Sequence, residues 1–206
     1  MPNRRDVVKS ALSMSALPLM GGGFVSKTNG FSGSGLRDVL VDERNSASRA
    51  FGRVADARGL NVESSRGDWS RLWLTRLDRE WRAEPAPIAG VTHHGALFTF
   101  EQLARPRGMR SVFVARLCRY SNGAATLHVT GPAAAVTRAR ETVSLDDESW
   151  GVSIGEMLAG ISADRWRLSV GHVEVSNSID APLSMEHPDP IYAWLIAPVA
   201  RSPRFI

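Results

Sequence analysis

Apolar and polar positions succeed one another along this chain in two periods, and the succession predicts its elements. Val39, Leu40 and Val41 form a short apolar run that ends in the polar turn Asp42-Glu43-Arg44-Asn45. Ala47, Ala50, Phe51, Val54 and Ala57 then recur at helical spacing. They predict a helix over 46–58 that stops at Gly59, where glycine takes the left-handed backbone without a Cβ penalty. A second strand over 60–63 leads into Arg66-Gly67-Asp68. The Asp68 carboxylate is expected to accept from the free N–H groups of a helix that begins at Trp69. That helix carries Trp69, Leu72, Trp73, Leu77 and Trp81. Three tryptophans at this spacing suit core packing better than a cofactor platform. A third strand follows over 88–91. Next comes a helix capped by Thr92 that carries Leu97, Phe98, Phe100 and Leu103 and stops before Pro106 and Gly108, then a fourth strand over 109–116.

The first half therefore reads β-α-β-α-β-α-β, the signature of a parallel sheet with helices on its faces. The second half changes character. Asn122-Gly123 lies between the alternating runs 112–120 and 124–130 and signals a hairpin, because both residues tolerate the positive φ of a type I′ turn. Helical stretches follow from about 132 and over 147–161, and strand-like runs over 166–175 and 191–197 close the chain. The expectation is one three-layer α/β domain over 37–206, with a mostly parallel sheet and an antiparallel hairpin extending one edge.

Bulk composition agrees with a globular domain: 43% of the 206 residues are hydrophobic and 22% charged. No apolar run reaches 18 residues, so no integral membrane segment is expected. The net charge of +4 is concentrated at the N-terminus. Arg4, Arg5, Lys9 and Lys27 face only Asp6 within the first 27 residues, which leaves 21 arginines against 20 acids beyond them. A nearly neutral remainder gives no electrostatic case for nucleic acid as a partner. The single cysteine, Cys118, cannot close an internal disulfide, and its alternating surroundings suit a buried strand position.

The N-terminal charges belong to a recognisable pattern. Asn3-Arg4-Arg5-Asp6-Val7-Val8-Lys9 resembles the twin-arginine consensus, with valines where that family usually has Phe and Leu. The moderately apolar stretch 11–20 and Gly21-Gly22-Gly23 follow it, as in a secretory leader. The resemblance covers only this leader. It implies a signal peptide over 1–27, recognition of Arg4 and Arg5 by the twin-arginine translocation machinery, and a mature domain that crosses the membrane folded to work in the periplasm or otherwise outside. Residues 28–36 read as a Gly/Ser-rich linker.

In open parallel sheets ligands bind where strands end and loops enter helices. Three such loops are expected at 42–46, 66–68 and 92–95. If the first and third strands flank the switch point, Asp42, Glu43, Arg44, Thr92, His93 and His94 converge, with Arg66 in the second loop. Arg44 and the N–H groups of two helix starts would favour a carboxylate or phosphate; the same residues also suit mere caps and turns. His93-His94 invites a metal, with Asp42 or Glu43 as further ligands, but adjacent helical residues point roughly 100° apart, so no metal is assigned and a single catalytic or ligand-binding histidine, His93 or His94, fits better. His128, His172 and His187 lack ligand spacing. No GxGxxG, Walker or CxxC motif is present, so no cofactor is named. Gly151-Val152-Ser153-Ile154-Gly155 matches the G-x-S-x-G of hydrolases, with Asp180 and His187 in order behind it. An acidic run precedes it where an elbow needs an apolar strand, so a helix is expected. Three readings stand: a binding domain for a small anionic organic ligand, a non-catalytic subunit co-exported with a redox enzyme, and a serine hydrolase using Ser153.

Overall fold

The computed structural model describes residues 35–120, 124–142, 146–160, 170–176 and 189–198. The expected leader, most of the expected linker, the expected turn at Asn122-Gly123, Asp180 and His187 lie outside the described residues. Strand β1 (Asp38–Asp42) leads through α1 (Ser46–Ala57) to β2 (Asn61–Ser65). A composite helix follows: α2 (Ser70–Leu72), a π-helical turn (Trp73–Leu77) and α3 (Asp78–Ala83). Then come β3 (Ile88–His93), α4 (His94–Ala104), β4 (Met109–Arg119), β5 (Ala125–Pro132), α5 (Ala133–Thr142), α6 (Asp147–Ala159), β6 (Val170–Ser176) and β7 (Ile191–Pro198).

Among the described residues seven strands form one sheet, in the order β2-β1-β3-β7-β4-β5-β6. The sheet is mixed, which corrects the expectation of a mostly parallel one: only β1–β2 and β1–β3 pair in parallel, and the other four pairings are antiparallel. The cause is β7. It inserts between β3 and β4 and runs against both, opposing Gly90 with Trp194 and Ala115 with Ala193. Strands β1 to β4 still share one direction, as their connecting helices require. At the far end β4, β5 and β6 form the antiparallel extension, where Tyr120 N–H donates to the Ala124 carbonyl on the approach to the turn.

Alternation of side chains along each strand feeds a core on either face. Val39 and Val41 of β1 join Phe51 of α1 and Trp150 and Ile154 of α6 on one face. Leu40 joins Trp69, Leu77 and Trp81 of the composite helix and Phe100 of α4 on the other. Cys118 is buried in β4, and burial raises its thiol pKa. Phe98, expected on the buried face of α4, is exposed. Among the described residues no helix is long and apolar enough to cross a membrane.

Helix α1 leaves β1 over the first face and leads to β2 on one side. Helix α4 leaves β3 over the opposite face and leads away on the other side. The adjacent carboxyl ends of β1 and β3 are therefore the switch point, where diverging loops open a crevice.

Candidate functional site

A cavity of about 590 Å³ opens at that switch point, within the size range of small-molecule sites. Its polar end is built from the three strand-end loops: Asp42 and Arg44 after β1, Gly67 and Asp68 after β2, and His93 at the end of β3. Its walls are the faces of two helices, chiefly Trp69, Trp73 and Leu74 on one side and Ala96, Phe100 and Leu103 on the other.

Asp42 is the anchor of the polar end. Its side chain is only 2% exposed, and a buried carboxylate must be paired. The pairing is local. Oδ1 accepts from the Arg44 backbone N–H at 3.1 Å and from Nε at 2.9 Å, and Oδ2 accepts from Nη2 at 2.7 Å. The hydrogen bonds from Arg44 outweigh burial and hold the Asp42 pKa below the usual carboxylate value. Ser48 fixes the backbone behind it: its Oγ accepts from Asp42 N–H at 2.7 Å and donates to the Val91 carbonyl at 2.5 Å, tying α1 to the ends of β1 and β3. Asn45 caps α1 by accepting from Ser48 N–H at 3.1 Å.

The guanidinium of Arg44 lies over Gly67, whose φ of +101° few other residues adopt. A Cβ there would sit 2.9 Å from Cζ of Arg44, so a side chain at this position would also push the guanidinium aside. Next to it Asp68 accepts from Ser70 N–H at 2.9 Å, which lowers its pKa; the helix begins at Ser70 rather than Trp69, so Trp69 takes the cap position expected for Asp68. His93 sets Nε2 4.0 Å from Asp42 Oδ2, beyond hydrogen-bond range, with a side chain 41% exposed.

The wall residue Phe100 is backed by a buried aromatic layer. Gly90 of β3 leaves room for its cross-strand neighbour Trp194, whose ring atom Cζ2 would lie 2.6 Å from any added Cβ. The Trp194 indole donates to Thr92 Oγ1 at 2.9 Å and stacks on Phe100 at 5.7 Å, and Phe100 meets Trp69 edge-on at 6.3 Å.

The structure sorts the residues expected from sequence. Asp42, Arg44 and His93 come together at the cavity. Glu43 and Arg66 do not: they face each other at 3.5 Å across a separate open hollow beside α1. Thr92 caps nothing. The strand runs on to His93, so Thr92 stays buried in β3 as the acceptor for Trp194, and no side chain caps α4. His94 turns away from His93 and packs on Phe98 and Tyr192 at ring distances of 6.3 and 5.2 Å. Ser153 sits mid-helix in α6. Its flanking Gly151 and Gly155 are contact points with Ala47 and Val54 of α1. Sequence reasoning missed Ser48 and assigned the tryptophan helix to the core alone.

Unpartnered donors gather at the polar end, beside the Asp68 carboxylate. Both Asp42 oxygens are taken up by Arg44, while Arg44 Nη1 has no acceptor among the described residues. The uncapped first turn of α4 brings Gly95 and Ala96 to the cavity, and its N–H groups have no partner within the helix. Trp69, 6% exposed, carries a buried Nε1–H with no partner among the described residues. Compared with known protein families, with curated proteins and with solved structures, the chain gives no match.

Proposed function

We propose that this is an exported α/β protein that binds a small organic anion with an apolar body in the cavity between the ends of β1, β2 and β3. The group of unpartnered hydrogen-bond donors at the end of an otherwise apolar cleft carries the reading. An anionic head would accept from Arg44 Nη1 and from the first turn of α4, where the helix dipole also favours negative charge. The apolar body would lie along Trp69, Trp73 and Phe100, excluding water from that polar contact. Export rests on the twin-arginine resemblance of Arg4 and Arg5.

Calorimetric titration of the purified protein with 3-phenylpropionate and with 3-phenylpropan-1-ol tests the reading. The acid should bind more tightly than the alcohol, Arg44→Gln should erase that preference, and Ala96→Trp should fill the cleft and abolish both. Equal affinity for acid and alcohol, or binding unchanged in Ala96→Trp, would refute it. Export is tested by Arg4→Lys/Arg5→Lys, which should leave the full-length chain in the cytoplasm; unchanged secretion removes that part.

A further inference from the structure

We infer that the preferred ligand is a zwitterion, an α-amino acid with a large apolar side chain, whose carboxylate meets Arg44 and whose ammonium meets Asp68. This rests on the binding site proposed above and adds the second charge.

The polar end carries two charges of opposite sign side by side. Arg44 lies against Gly67, and Asp68 is the next residue in the chain. The carboxylate of Asp68 spends one oxygen, Oδ1, on the Ser70 N–H. The Ser70 side chain also hydrogen-bonds this carboxylate, whose exposed oxygens keep acceptor capacity for one more donor. Asp42 cannot serve an ammonium in its place, since both its oxygens already accept from Arg44. Two adjoining loops thus present a donor edge and an acceptor carboxylate, the complement of a group in which carboxylate and ammonium share one carbon. A simple carboxylate would leave Asp68 as an unanswered like charge beside its head. An ammonium offsets that repulsion and gains a charge-assisted hydrogen bond. Because Asp68 is exposed, the gain is modest, about three- to tenfold in affinity. Trp69, Trp73 and Phe100 then select a large apolar side chain over a small one.

Titration of the full chain, followed by calorimetry, with L-phenylalanine, 3-phenylpropionate (no ammonium) and phenethylamine (no carboxylate) tests the inference. L-Phenylalanine should bind about three- to tenfold more tightly than 3-phenylpropionate, with phenethylamine weakest. Asp68→Asn keeps an oxygen for the Ser70 cap, so it should fold normally and bring the first two ligands to equal affinity. If 3-phenylpropionate binds as well as L-phenylalanine to the wild type, or if Asp68→Asn preserves their difference, the zwitterion is refuted and the anion site stands. If phenethylamine binds best, or none of the three binds, the anion site falls and the zwitterion with it.

Discussion

Gly151→Ala separates two uses of the G-x-S-x-G sequence by a stability measurement. In a nucleophile elbow the glycines relieve crowding around an exposed serine. In this fold they let α6 approach α1. A Cβ at position 151 would stand 2.8 Å from the carbonyl carbon of Ala47 and 3.0 Å from its Cα, roughly 0.7 Å inside the ~3.5 Å at which carbon atoms meet comfortably. The obstacle is backbone and has no rotamer to change, so α6 must move outward. That loosens Trp150 and Ile154 against Ala47 and Phe51, all of them buried in one cluster. Overpacking typically costs ~1–3 kcal/mol, and a backbone obstacle places this site at the upper end. Replacing a mid-helix glycine by alanine returns ~1 kcal/mol of helix propensity. The net expectation is a loss of about 2 kcal/mol, or a fall of roughly 4–8 °C in melting temperature. Urea unfolding followed by far-ultraviolet circular dichroism measures it. A Gly151→Ala protein within 0.5 kcal/mol of wild type would refute the helix-contact argument.

Three further outcomes follow from the site. Asp42 has a lowered pKa in the folded chain, so its contribution to stability is complete above the ordinary carboxylate value of ~3.9 and is lost as pH falls through that value towards the folded one. The slope of unfolding free energy between pH 5 and pH 3 should therefore be shallower in Asp42→Asn than in wild type; an unchanged slope would count against the Asp42–Arg44 pair. Thr92→Val keeps the shape of a fully buried side chain but strands the Trp194 indole N–H, and should destabilise by ~1–3 kcal/mol in urea unfolding, whereas a neutral result would mean the indole finds another acceptor. Asn45→Ala removes the α1 cap and should cost ~1 kcal/mol by the same assay; a loss below ~0.3 kcal/mol would show that the cap is dispensable.

Local patterns carried the element types and, through them, the switch point. Apolar runs at 39–41 and 88–91 became β1 and β3, and the polar residues just beyond them became the mouth of the cavity. What the patterns could not supply was strand partnership. β7 reads as an apolar run with nothing local to say that Trp194 will face Gly90, about a hundred residues earlier. Pairing of that kind is decided by which slot in the sheet remains open, and period-2 alternation carries no information about it. The same limit divided the candidate residues. Glu43 and Arg44 are neighbours in one turn, yet only Arg44 reaches the cavity, while Glu43 lines the hollow beside α1 that Arg44 also borders. Thr92 lost its capping role because the strand continued two residues further than its apolar run, to His93. The tryptophan helix misled for a different reason: Trp69 is both core and wall, since a cleft between two helices is lined by the rings that hold those helices in place.

That double use makes Arg44 the sharpest probe of the site, because charge and geometry can be separated there. The guanidinium binds Asp42 through Nε and Nη2 at once, which fixes the plane of the fork and leaves its Nη1 edge for a ligand. A lysine keeps the positive charge but has a single ammonium on a flexible stem, so it can neutralise Asp42 or meet a ligand carboxylate and cannot present a fixed second edge. If the polar end works only as a positive field, Arg44→Lys should bind 3-phenylpropionate like wild type. If the fork held by Asp42 is the recognition element, affinity should fall about tenfold or more, and the acid should lose most of its advantage over the alcohol. The unfolding midpoint serves as the control, because a variant that binds weakly while folding normally isolates the lost edge. Wild-type affinity in Arg44→Lys would remove the argument for a pre-oriented donor and leave only charge.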